Sequence, residues 1–210
     1  MNDAARLTRS MTAQGAGEAA AVARHRIAQP NGWWGMVLFL AAEATLFGTL
    51  LATYYYLDFG SAKWPPPGIK PPEVLDPLLA TGWLVSTSLP MWLAVRAGRA
   101  GRRPGAAWMI ALALVMQCCY FAAQVVLFRH DLLQFTPQGS AYGSIYFTML
   151  AAHHAHVLLG ILLNAALLWH IAARGLTNYW LIGLRGMAIY WHVVNFLAVL
   201  VVFTQLTPSL

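Results

Sequence analysis

Five apolar runs, each long enough to cross a lipid bilayer, follow one another along this chain. They are Trp34 to Leu57, Leu78 to Val95, Ala106 to Phe128, Tyr142 to Ala172 and Gly183 to Leu206. A helix rises about 1.5 Å per residue, so even the shortest run spans most of a hydrocarbon core about 30 Å thick. None of the runs alternates with period two, which excludes a transmembrane β-barrel. Only helices then satisfy the backbone in lipid. The fold class that follows is all-α, an integral membrane bundle of five transmembrane helices within residues 33–210. A polar tail, residues 1–32, precedes it. Composition agrees: 10% of residues are charged, against roughly 25% in soluble domains. A chain so poor in charge cannot cover a surface that faces water.

The breaks between the runs carry residues that stop helices. Pro65-Pro66-Pro67-Gly68 and Pro71-Pro72 separate the first two runs, and Gly101, Pro104 and Gly105 the next two. Pro137 and Gly139 mark the third break, and Gly175 to Asn178 the fourth. No internal repeat is visible. The net charge is +6 and the pI near 9.7. Nucleic acid is not the implied partner, because the basic residues sit in the stretches flanking the runs. Arg6, Arg9, Arg24 and Arg26 precede the first run, Arg96, Arg99, Arg102 and Arg103 follow the second, and Arg174 and Arg185 flank the last break. On the other side Lys63, Lys70 and Arg129 are balanced by Asp58, Glu73, Asp76 and Asp131. The bias predicts a cytoplasmic N-terminus and an external C-terminus. Trp33, Trp34, Trp64, Tyr179 and Trp180 lie at run ends, where an aromatic interfacial belt belongs. The N-terminal stretch has no apolar core of a secretory signal. Cys118 and Cys119 are adjacent, make neither a disulfide framework nor a zinc site, and are expected to be small packing residues.

Few ionisable groups remain inside the runs. Glu43 is the only acid well inside one. It must face protein, pair, or stay neutral. His153 and His156 lie three apart on one stripe of the fourth run, with Gly160 four residues on, while His154 points elsewhere. In the fifth run Tyr190 and Trp191 precede His192, and Asn195 shares the face of His192. Depth places Glu43 roughly 14 Å and His192 about 13 Å from the arginine-rich side, with His156 about 20 Å from the other. These levels predict a buried polar cluster of Glu43, His156 and His192, with His153 higher up and Asn195 beside it. Such residues suit three uses: axial ligation of a b-type haem, a short proton or ion path, or hydrogen bonds between helices and to lipid headgroups.

At these residues the chain resembles subunit III of the haem-copper terminal oxidases. Gly35 to Phe47 is similar to the family helix with its membrane-embedded glutamate, here Glu43. Tyr146 to Gly160, with His153, His156 and Val157, resembles the family's His-x-x-His-Val block. Tyr190-Trp191-His192-Val193-Val194-Asn195 is similar to its Tyr-Trp-His-Phe-Val-Asp signature, with Asn195 in place of the usual Asp. The three segments occur in family order and together cover nearly all of Trp33 to Leu206. The resemblance implies a short, five-helix form that lacks the first two of the family's seven helices. It implies no catalytic residue, metal or redox cofactor in this chain, with haem and copper in partner subunits. It further implies packing against subunit I, with subunit II and smaller subunits as further partners, in a bacterial inner membrane. Lipid binding, support of proton uptake and protection of the catalytic subunit are the implied tasks, with Glu43 as the membrane acid and the histidines as its polar partners. Arg174 and Trp34 are the expected phospholipid contacts. Related possibilities are a quinol oxidase subunit III or a nitric oxide reductase accessory protein. Possibilities of another class are a small independent proton or ion transporter and a b-type cytochrome.

Overall fold

The computed structural model describes residues 31–175 and 177–209. Most of the expected tail therefore lies outside the described residues. Two compact units divide the chain, Met1–Val37 and Leu38–Leu210. Residues 31–37 of the first are helical. The elements are α1 (Asn31–Phe59), α2 (Leu75–Ser86), α3 (Ser88–Arg99), α4 (Arg103–Gln134), α5 (Ala141–Arg174) and α6 (Asn178–Leu206), closed by a short 3₁₀ turn at Thr207–Ser209. No strand occurs among the described residues. Five stretches are long and apolar enough to cross a membrane: Gly32–Phe59, Leu75–Arg99, Arg103–Gln134, Ala141–Arg174 and Tyr179–Leu206.

The helices run past the ends of the apolar runs. α4 continues from the expected limit at Phe128 to Gln134, because nothing before Pro137 interrupts backbone hydrogen bonding. Lipid-like composition ends at the edge of the hydrocarbon; the helix ends where a cap or breaker stands. Pro104 starts α4, where its missing N–H costs nothing. The Ser140 hydroxyl accepts from the Gly143 N–H at 3.0 Å to open α5. Gly175 closes α5 at φ 93°, a conformation that favours glycine.

The second span is not one helix. Thr87 separates α2 from α3, where the apolar run predicts a single helix over 78–95. Pro90 has no N–H to give the Ser86 carbonyl, and two hydroxyls bond back to the preceding turn at the break. The Thr87 hydroxyl donates to the Leu84 carbonyl at 2.7 Å, and the Ser86 hydroxyl to Trp83 at 2.6 Å.

Packing within the second unit has two parts. α1 turns a narrow seam inward: Leu40, Glu43, Phe47, Leu50, Tyr54 and Leu57 alternate three and four apart and are partly or fully buried, with Leu51 and Tyr55 part-buried beside them. The remainder of α1 between them is mostly exposed. Its far end enters an aromatic cluster with Trp64, Phe135, Tyr142, Tyr146 and Phe147. Trp64 is thus a correction: it turns in edge-on against Tyr54 and Tyr142, with ring centroids 5.4 and 5.0 Å away, and not outward to an interfacial belt. At the arginine-rich end Arg103 donates to the Ile171 carbonyl from both Nε and Nη2, at 3.1 and 2.8 Å, and from Nη2 to Ala172 at 3.0 Å. It satisfies carbonyls that the end of α5 would leave open. Cys118 and Cys119 are also a correction, since both are exposed on α4 and pack in no core.

Candidate functional site

Glu43 lies on the inward seam of α1, and α5 brings His156 to it. The Glu43 carboxylate oxygen Oε2 meets His156 Nε2 directly, and the two side chains are 15% and 14% exposed. The other imidazole nitrogen, Nδ1, lies 2.6 Å from the Ala152 carbonyl oxygen one turn back. A carbonyl only accepts, so Nδ1 carries a hydrogen. Nε2 is then the imidazole nitrogen turned to the Glu43 carboxyl. Phe47, one turn along α1, sets its ring edge-on to the imidazole at 5.3 Å and limits its tilt.

Tyr190 and Trp191 of the fifth-run signature pack against the same stretch of α5. The Tyr190 hydroxyl donates to the His156 carbonyl at 2.7 Å, and Phe39 of α1 stacks on Tyr190 at 6.1 Å. Gly160 makes room for this. A Cβ there would lie 2.6 Å from Trp191 Cζ2 and 2.8 Å from Tyr190 Cε1, closer than packed atoms allow. Glu43, His156, Gly160, Tyr190 and Trp191, drawn from three spans, therefore form one site.

The other expected members stand elsewhere. His153 is buried on α5, where its Nε2 is 3.3 Å from the Tyr120 hydroxyl of α4. Asn195 is buried and donates to the Ser88 hydroxyl at 2.8 Å and the Thr87 hydroxyl at 3.4 Å. It holds the break in the second span and does not touch the glutamate. His192 is the clear correction: it is exposed, on the stripe of α6 that carries Phe196, Val199 and Phe203. Equal depth did not bring it to Glu43, because depth leaves the rotation of a helix free. Arg174 is exposed in the last turn of α5, and Trp34 is 57% exposed.

Reading for ionisable groups missed a set of buried amides. Gln117 on α4 and Asn164 on α5 are both fully buried, and Asn164 Nδ2 donates to Gln117 Oε1 at 3.0 Å. Gln124 is buried one heptad beyond Gln117. The signal lay in the third run: Ala113, Gln117, Tyr120 and Gln124 repeat at spacings of four, three and four on one face.

The chain matches the family model described as cytochrome c oxidase subunit III over residues 10–206. It is 29% identical over 168 residues to cytochrome c oxidase subunit 3 of Neurospora crassa, covering 77% of this chain and 61% of that protein. It is 28% identical over 186 residues to the same subunit of Podospora anserina, covering 85% and 68%. It is 29% identical over 150 residues to quinol oxidase subunit 3 of Bacillus spizizenii, covering 70% of each. The chain thus spans about three fifths of the length of the first of these relatives. The match takes in the α1 glutamate, the α5 histidine block and the α6 signature, of which Glu43, His156, Tyr190 and Trp191 meet in one site. This chain belongs to the cytochrome c oxidase subunit III family.

Proposed function

We propose that this chain is an accessory subunit of a bacterial aerobic terminal oxidase of the cytochrome c type, seated in the inner membrane with its arginine-rich end in the cytoplasm. The observation that carries the reading is the Glu43–His156 pair, built from two family segments and partly open at the edge of α1. A membrane acid left beside lipid is costly, and a partner imidazole makes it tolerable. The carboxyl–imidazole pair puts two groups able to hold a proton at a face that a neighbouring subunit can cover. In this reading the chain has no redox centre of its own. Haem and copper belong to subunit I, which it packs against and stabilises while supporting proton uptake. Subunit II and smaller subunits complete the complex. Arg174 and Trp34 contact phospholipid, the former through headgroup phosphate.

Affinity purification through a tag on this chain tests the reading. A large haem-containing subunit in the eluate, with oxygen consumption, supports it; this chain emerging alone with transport activity overturns it. The electron donor is the point at which the relatives divide, since some are named for cytochrome c oxidase and others for quinol oxidase. Oxygen consumption driven by reduced cytochrome c and not by a quinol is the expected result, and the reverse would move the chain to the quinol branch.

A further inference from the structure

The centre of the bundle holds more polar groups than the protein itself satisfies. Ser88 and Met91, one turn apart on α3, face two different amides. Asn195 of α6 donates to Ser88, and Asn164 of α5 lies 3.6 Å from the Met91 sulfur and donates to Gln117 of α4. Trp191 is one turn before Asn195, and its ring atom Cε2, bonded to Nε1, sits 3.0 Å from the position of a Cβ on Gly160. Gly160 is one turn before Asn164. Four helices thus bring Gln117, Asn164, Trp191 and Asn195 to one region, with Gln117, Asn164 and Trp191 fully buried and Asn195 3% exposed.

One polar atom of each of these residues has no hydrogen-bond partner among the described residues: Gln117 Nε2, Asn164 Oδ1, Trp191 Nε1 and Asn195 Oδ1. Two are donors and two are acceptors. The Gln117–Asn164 count survives turning both amides over, because one amide-to-amide bond always leaves one N–H side and one C=O side. These atoms are buried, and the acyl tails of lipid could not bond them. The apolar alternative is poor, since buried polar groups are almost always paired. A ligand that accepts two hydrogen bonds and donates two is what the inventory calls for, and water has that capacity.

We propose that α3, α4, α5 and α6 enclose an internal water site, of one or two molecules, bonded to Gln117, Asn164, Trp191 and Asn195. The water completes the polar node that joins the broken second span to the three helices around it. It shares Trp191 with the Glu43–His156 site but bonds neither Glu43 nor His156, and it holds whether the complex oxidises cytochrome c or a quinol.

Cryo-electron microscopy of the purified complex, at a resolution where other buried waters are visible, tests this. Density about 2.7 to 3.2 Å from Trp191 Nε1 or from Gln117 Nε2 supports the proposal. Empty space there overturns it, as does a compact density at about 2.0 to 2.4 Å from several oxygens, which would be a cation. Ultraviolet resonance Raman spectroscopy provides a second reading through Trp191→Phe, which keeps an aromatic ring and removes one N–H. The wild-type minus variant difference should carry the signature of a hydrogen-bonded indole, and a free-indole signature would overturn the proposal. Should Trp191→Phe fail to assemble, the density in the wild-type complex decides alone.

Discussion

α1 and α6 are helices of 29 residues each, apolar almost from end to end, yet they are held in different ways. In its most apolar stretch α1 is 6% buried and α6 56%. α6 packs closely: Trp191 and Tyr190 lie against a glycine, and Leu184, Val194, Ala198 and Val201 fill its inner face. α1 meets its neighbours through long side chains on one seam, with an acid–imidazole pair midway and an aromatic cluster at its end. In water a wide apolar face would drive association. In a bilayer the tails are as apolar as leucine, and packing and polar bonds decide. The lesson is that α6 depends on shape, whereas α1 depends on a few polar and aromatic anchors.

The largest effect is expected where shape decides. Gly160→Leu should destabilise the bundle by about 3 kcal/mol or more, since overpacking forces Trp191 and Tyr190 to move. Unfolding of the purified chain in increasing denaturing detergent, followed by tryptophan fluorescence, measures this. Next comes the anchor. Glu43→Leu should cost about 1 to 2 kcal/mol, concentrated in α1. Hydrogen exchange over residues 38–59 should rise while α4 and α5 keep their protection, and Glu43→Gln should stay near wild type. Equal loosening of all helices in Glu43→Leu would break the contrast between the two spans. Asn195→Ala should cost about 1 kcal/mol, because Ser88 and Thr87 then lose a donor. Its exchange signal should appear around the Thr87 break. His192→Phe should change stability by no more than about 0.5 kcal/mol, as it lies on an exposed stripe. The same detergent unfolding measurement checks this.

Span number was readable from the apolar runs because hydrocarbon thickness sets helix length. Rotation was not. His192 and Asn195 looked alike by spacing, yet one is exposed and the other buried. On a soluble helix the polar face marks the outside; here the outward residues of α6 are Phe196, Val199 and Phe203, as apolar as the inward ones. Glu43 and His156 could be paired in outline because a lone acid in lipid needs a partner. The helix break could have been found, since Ser86, Thr87, Ser88 and Pro90 crowd five positions in mid-span. Gln117 and Asn164 escaped a reading that weighed ionisable groups alone.

The break at Thr87 also bears on how the chain is made. Ser88 is bonded by Asn195, 107 residues further along. At translation rates of roughly 5 to 20 residues per second, the second span waits on the order of 5 to 20 s for that partner. During the interval its polar midpoint lies in the membrane without the amide that later holds it. Synthesis of α6 supplies that amide, so α6 acts as the latch that completes the second span.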